Sequence, residues 1–303
     1  MIKSPLNYTG GKFKLLPQIL PYFPKNIDVF VDLFCGGCNV GINVEANHVI
    51  YNDLNEHLFF LYNTFKNLDK ELIFEWIYRI IDMYDLSLVS KNGYDYYGCD
   101  SSIGLGKYNK EKYMKLRNDF NAIQTKDYYH YIMLYVIIVY AFNNQIRFNS
   151  KGKYNLPVGK RDFNKKMVNK LSTFIDKIQS QNCRFTCKDF REFDISYLDN
   201  NDFVYIDPPY LITCATYNEQ GGWNEKSEHD LLAFLDLLTE KNIRFAFSNV
   251  LRSKGKVNHI LIEWLNQNSD KYRAIPLNYS YSNSNYQKKD KASASEEVLI
   301  VNY

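Results

Sequence analysis

No apolar run in this sequence is long enough to cross a bilayer. The longest candidate, Tyr128 to Phe142 (YYHYIMLYVIIVYAF), falls short of the ~20 residues a span needs and is interrupted by tyrosines and a histidine. It predicts a helix buried inside the protein. The stretch MIKSPLNYTGGK lacks the apolar core of a secretory signal, so a cytoplasmic protein with reduced thiols is expected. Cysteine is sparse: there are six, four of them in the pairs Cys35/Cys38 and Cys183/Cys187. The spacing would suit a zinc site, but the first pair lies in a glycine-rich segment with another use and the second flanks a short strand-like run. Small buried side chains are expected there, and no metal. Internal repeats are absent. Net charge is only +3, too small to announce a partner.

The distribution of charge says more than its sum. Between Arg147 and Lys170 lie Arg147, Lys151, Lys153, Lys160, Arg161, Lys165, Lys166 and Lys170, against one acid, Asp162. Such a local excess is the footprint of phosphate contact, although a solvated helix face carries charge in the same way. With 26 tyrosines and 20 phenylalanines, flat rings are plentiful for stacking on unpaired bases, and most of them must still be core.

The 303 residues suit a large core domain with an inserted lobe. IDVFVDLF reads as a buried strand, CGGCNVGINV as a glycine turn opening a helix, and HVIYNDLN as a second strand ending on Asn52-Asp53; this is the opening of a nucleotide-binding α/β sheet. From Glu56 to about Phe142 helical periods take over, broken by the polar loop KNGYDYYGCDSSIGLGKYN. Sheet text resumes at CRFTCKDF and NDFVYIDPPY. An irregular segment follows (LITCATYNEQGGWNEKSE), then a helix from His229 to Glu240, the strand IRFAFSNV, a helix near Lys256 to Gln267, and terminal strands YRAIPLNY and EEVLIVNY around the loop SNSNYQKKDKASAS. The expected class is α/β, with residues 1–55 and 166–303 forming the sheet domain and residues 56–165 a mainly helical insertion.

Two motifs carry chemistry. In VDLFCGGCNVG the glycines Gly36, Gly37 and Gly41 do not follow the G-x-G-x-x-G spacing of a dinucleotide site, and Asp32 precedes them within the strand. A carboxylate there can face an ammonium on the ligand, which S-adenosylmethionine has and NAD lacks, while Asp53 is placed for ribose hydroxyls. In VYIDPPY an apolar strand ends on Asp207 and is then stopped by Pro208 and Pro209, neither of which can donate a ladder hydrogen bond. Asp-Pro is also a common turn opener. Ahead of both, NYTGGK brings Gly10-Gly11 between Tyr8 and Lys12, a place where backbone can approach a ligand closely.

In this order the motifs NYTGGK, VDLFCGGCNVG, YNDLN, RFNSKGKYNLPVGKR, CKDF, VYIDPPY and EEVLIVNY resemble the Dam family of DNA adenine N6-methyltransferases, the D12 class with the alpha-type motif order, over nearly the whole chain. The resemblance implies a Rossmann-like S-adenosylmethionine-dependent methyltransferase sheet with residues 56–165 as the target-recognition lobe. It implies that Tyr8, Lys12, Asp32, Phe34, Gly36, Asp53 and Asp207 line the S-adenosylmethionine site and that Asp189-Phe190 hold its adenine. The catalytic set would be Asp207, Pro208, Pro209 and Tyr210. Many members have Trp where Tyr8 stands, and FNNQIRFN (Phe142 to Asn149) departs from the form usual in GATC enzymes, which leaves the recognition sequence open.

The chemistry explains the abrupt strand end. An exocyclic adenine amine is a poor nucleophile because its lone pair is delocalised. Asp207 and the Pro208 carbonyl would accept its hydrogens and Tyr210 would stack on the base. The base must first leave the duplex. Around it Arg147 would read a guanine, Asn143 or Asn144 an adenine, and Lys160 a phosphate or base edge, with Asn149 and Arg161 alongside. The expected partners are double-stranded DNA and a companion restriction endonuclease, with the protein a monomer or weak dimer. Rival readings are an N4-cytosine methyltransferase, an NAD oxidoreductase, and a DNA-binding protein without catalysis.

Overall fold

The computed structural model describes residues 1–213, 222–278 and 295–303. Parts of the irregular segment (214–221), the polar loop before the final strand and the end of YRAIPLNY (279–294) lie outside the described residues. The chain divides into two compact units, one of Met1–Gly11, Gly36–Ile42 and Asn55–Phe185, the other of Lys12–Cys35, Asn43–Leu54 and Thr186–Tyr303.

The second unit is a sheet covered by helices. Its strands are β1 (Val29–Asp32), β2 (His48–Asn52), the end of β3 (Cys183–Thr186), β4 (Phe203–Ile206), β5 (Arg244–Ser253), the short β6 (Lys256–Val257), β7 (Arg273–Leu277) and β8 (Glu296–Val301). The helices α1 (Leu16–Ile19), α8 (Glu225–Glu240) and α9 (His259–Gln267) belong with them. β4, FVYI, is buried at every position, as a strand with parallel neighbours on both sides must be. The run β2-β1-β4-β5 is parallel. β8 then pairs antiparallel with β5, and β7 antiparallel with β8. Val31, Val204, Phe245 and Ile300 pack in one apolar core with Leu231 and Leu235 of α8 and Leu261 of α9.

Chain order makes β1 a switch point: β2 lies on one side of it and β4 on the other. Ligands of open α/β sheets bind beyond the carboxyl ends of the strands at such a point. Asp32 closes β1 and Asp207 follows β4 by one residue, so both reach that edge.

The first unit is helical: α2 (Glu56–Asn67), α3 (Lys70–Met83), α4 (Val89–Asn92), α5 (Gly106–Ala122), α6 (Tyr128–Tyr140) and α7 (Lys165–Ser180). The predicted buried helix is α6, buried from His130 to Tyr140 and packed against α2, α3 and α5. Helices in both units start on the short polar side chains that accept the first free N–H groups: Asn55, Asp69, Asp127 and Asn164 in this one, Asn224 and Asn258 in the other. No helix among the described residues is long and apolar enough to cross a membrane.

Three expectations change. The glycine segment after β1 opens no α-helix. Gly36 and Cys38 take left-handed backbone (φ 45° and 56°), which turns the chain into a single short 3-10 turn at Gly41–Asn43. Lys256 and Val257 form β6, so α9 begins at His259. The Asn224 cap starts α8 at Glu225, ahead of His229.

Asn52 fixes the carboxyl edge of the sheet. Its amide donates to the carbonyls of Leu33 and Lys188, each at 3.0 Å, and its Oδ1 accepts from the Thr186 hydroxyl at 2.8 Å and the Lys188 N–H at 3.1 Å. One side chain, 1% exposed, thereby joins the ends of β1, β2 and β3. Asn52→Ala would strand buried donors and acceptors, so a loss of about 3 kcal/mol is expected, measured by urea unfolding at neutral pH.

Candidate active site

At the end of β4 the prolines stop the strand and leave Asp207 beyond it, its side chain 17% exposed. The Lys12 ammonium, 4% exposed, lies 2.8 Å from Asp207 Oδ1 and 3.6 Å from Glu297 Oε1. Lys12 reaches this place from the short 3-10 turn Lys12–Lys14, Glu297 from the start of β8. The Tyr210 hydroxyl donates to Asp207 Oδ1 at 3.0 Å, and Glu297 Oε1 is a second acceptor at 3.3 Å. The same ammonium sits over the Tyr210 ring, 4.9 Å from its centre. Burial pushes both carboxyls above their ordinary range, against the pull of Lys12. Behind them the buried Tyr205 hydroxyl meets Ser248 at 2.8 Å.

Four predicted acids stand at strand ends: Asp32 closes β1, Asp53 follows β2, Asp189 lies three residues beyond β3 and Asp207 follows β4. The Asp53 N–H is bonded to the Thr186 carbonyl at 3.3 Å. Phe34 and Phe190 come together with ring centres 5.7 Å apart, and Trp223 closes on both at 5.9 Å. Trp223 is fixed by its indole N–H, which donates to Glu228 Oε2 at 2.8 Å. Asp189 caps the turn after it and pairs with Arg191 at 3.0 Å, so its carboxylate is already engaged. Trp223, Glu297 and Asn52 were not identified from sequence.

In the helical unit Tyr8 and Gly36 are in contact. A Cβ at Gly36 would stand 2.7 Å from the Tyr8 ring, so glycine is required both for φ and for this approach. The predicted DNA-reading residues share one irregular hairpin, held by bridges Ala141 to Val158 and Phe148 to Tyr154. Asn143 and Asn144 both have left-handed backbone (φ 55° and 52°), and Asn7 donates to the Asn143 carbonyl and Asn144 Oδ1. Arg147 is exposed, with its Nε on Asn155 Oδ1 at 2.9 Å. Lys160 and Arg161 are exposed too. Asn149 behaves as a turn residue, accepting from the N–H groups of Lys151 and Lys153 at 3.0 Å. A Cβ at Gly159 would collide with the Ala141 carbonyl, so the two arms of the hairpin can lie this close only through glycine. His57 stacks flat on Phe148, ring centres 3.6 Å apart, and burial lowers its pKa to about 4.

Lys12→Met would leave the buried carboxyls of Asp207 and Glu297 without their ammonium. The expected loss is about 3–5 kcal/mol at pH 7. Without Lys12 the carboxyl pKa values rise further above their unfolded values. The variant's deficit is therefore full at high pH and shrinks as pH falls through those raised values and the carboxyls take up protons. Urea unfolding of variant and parent at pH 7 and pH 5 should show the gap narrowing at the lower pH.

The model of the D12 class N6 adenine-specific DNA methyltransferases matches residues 8–291. The Type II methyltransferase M.FokI of Planomicrobium okeanokoites is 42% identical over 308 aligned residues, and the modification methylase StsI of Streptococcus sanguinis 40%. Each alignment takes in 100% of this chain and 43% of the relative, so the chain spans less than half the length of these two proteins. A DNA adenine methylase of Salmonella typhi is 27% identical over 215 residues, 70% of this chain and 66% of that one. A family model that runs from Tyr8 to residue 291, nearly the whole chain, together with identity above two in five along the full chain, settles the family: the chain belongs to the D12 class of N6 adenine-specific DNA methyltransferases.

Proposed function

We propose that this chain transfers the methyl group of S-adenosylmethionine to the N6 amine of an adenine extruded from double-stranded DNA. The observation that carries the reading is the Asp207-Pro-Pro-Tyr segment at the switch-point edge of the sheet, with its carboxylate tied to Lys12. The amine needs a fixed acceptor more than a strong base. Asp207 would accept one of its hydrogens and the Pro208 carbonyl the other, which favours the pyramidal nitrogen that attacks. The lysine holds Asp207 still while the base arrives. With that ammonium over one face of the Tyr210 ring, a base can stack only on the other.

The residues fit the donor. The acids at the ends of β1 and β2 suit an ammonium and a ribose diol, and the Phe34, Phe190 and Trp223 rings offer an apolar wall for a nucleobase. Asp32 would take the amino group, Asp53 the ribose, and the aromatic wall the adenine; Tyr8, Lys12, Gly36 and Asp189 remain part of the proposed site. S-adenosylmethionine supplies a methyl on a sulfonium, which drives the transfer without covalent help from the protein.

Residues 56–165 would be the target-recognition lobe. Exposed Arg147, Lys160 and Arg161 would neutralise phosphates or read base edges, and Asn143 and Asn144 would present polar groups on a constrained backbone. The local role of Asn149 makes it a support for this hairpin. A companion endonuclease would cut the same site when unmethylated, and the protein would act as a monomer or weak dimer.

Labelled S-adenosylmethionine and duplex DNA, followed by nucleoside chromatography, test the reading: N6-methyladenine is expected, and N4-methylcytosine would shift it to the rival amine. In single-turnover assays Asp207→Ala should lose more than about 10²-fold while DNA binding changes little, because the phosphate contacts lie in the hairpin. Tyr210→Phe should outperform Tyr210→Ala, which gives up about 1–3 kcal/mol of stacking. Equal damage in the two Tyr210 variants would remove the stacking role.

A further inference from the structure

Glu297 is a buried carboxyl in an unusual position. It is 1% exposed, its Oε2 has no hydrogen-bond partner among the described residues, and its Oε1 shares both Lys12 and the Tyr210 hydroxyl with Asp207. The opposite residues in its sheet are apolar, Val250 on β5 and Leu277 on β7. The charged and titratable groups around it are Lys12, Asp207 and Tyr210, with Tyr205 and Asp32 behind them.

A count of protons does not close if both carboxyls are ionised. The tyrosine has one hydroxyl hydrogen, and two carboxylate oxygens lie within 3.3 Å of it; the hydrogen can serve one acceptor. The second contact would then set two oxygen lone pairs against each other. One lysine would also face two negative charges in a place water scarcely reaches, and like charges sharing such a site do not both ionise cheaply. A single added proton on either carboxyl repairs both faults. Asp207 is the worse place for it, being closer to the ammonium by the difference between 2.8 and 3.6 Å and more exposed. An ionised Glu297 would in addition leave a charged oxygen, Oε2, with no donor among the described residues.

We propose that Glu297 is a positioning residue that stands as the neutral carboxylic acid at neutral pH, donating from Oε1 to the Tyr210 hydroxyl and leaving Lys12 to Asp207. The order of donors then runs one way: Glu297 O–H to Tyr210 oxygen, Tyr210 O–H to Asp207, with the lysine on Asp207 as well. Tyr210 is oriented by a donor and an acceptor together, and Asp207 keeps its negative charge for the target amine. Burial raising the Glu297 pKa agrees with this. The proposal rests on the methyl-transfer reading for its consequence, though the protonation state can be measured without it.

Carbon-13 NMR of the full chain labelled at the glutamate carboxyl carbon, with Glu297→Gln identifying the resonance, reads the proton directly. The expected signal is that of a protonated acid at pH 7, moving to the carboxylate position only at higher pH. A midpoint below pH 7, which would leave the group mainly ionised at neutral pH, overturns the proposal. Single-turnover transfer supplies the second arm. Glu297→Gln keeps the donor without the charge and should stay within about threefold of wild type, whereas Glu297→Leu, which keeps bulk but cannot donate, should fall by at least about tenfold, equivalent to one lost hydrogen bond. Gln as damaging as Leu would overturn the donor role. If the wild type transfers no methyl group, the proposed function fails, while the NMR result still decides the state of Glu297.

Discussion

A buried ammonium is the constraint from which the site follows. Lys12 is removed from water, and an isolated charge there would carry a large desolvation cost. Asp207 makes it tolerable, with Glu297 beside the pair, and each carboxyl is delivered by a different device. The prolines after β4 stop the strand so that Asp207 stands beyond its end. The antiparallel strand β8, lying between β5 and β7, brings Glu297 into the same space. Lys12 in turn lies over Tyr210, so one charge contacts both the Asp207 carboxylate and the Tyr210 ring. Removing any one of these disturbs contacts that the others share, so the cluster acts as a unit.

Much of this was legible because strand ends announce themselves. Asp32, Asp53, Asp189 and Asp207 each follow a short β-branched or aromatic run, and turn chemistry places such acids at the carboxyl edge of a parallel sheet. The α/β class, the buried helix α6 and the terminal strands were readable from period and composition in the same way. Glu297 was not. In EEVLIVNY two neighbouring acids look like the solvated start of a strand, and only the second is buried. The difference comes from the topology, which gives β8 a partner on each side. Asn52 was hidden for a related reason: its four hydrogen bonds go to residues brought near by the convergence of three strands.

The glycine motif shows the opposite error. Strand followed by glycines suggests a helix start by analogy with dinucleotide sites, yet positive φ at Gly36 and Cys38 redirects the chain. The Tyr8 ring occupies the space that a side chain at Gly36 would need. Here the absence of a Cβ makes room for an aromatic ring of the protein itself. In the hairpin the residues expected to read bases proved unequal once their bonds were known: Arg147, Lys160 and Arg161 are exposed, while Asn149 is occupied in closing a turn.

The Lys12 cluster also sets a schedule for the chain's synthesis. Its members stand at positions 12, 207, 210 and 297, so on a ribosome adding about 5–20 residues per second the lysine emerges many seconds before its second carboxyl exists. Local helices of the 56–140 stretch can form in that interval, but the pocket chemistry cannot, because contacts across such separations must wait for the intervening loop to close. A nascent chain therefore holds the lysine and its first carboxyl without the second until β8 has been added.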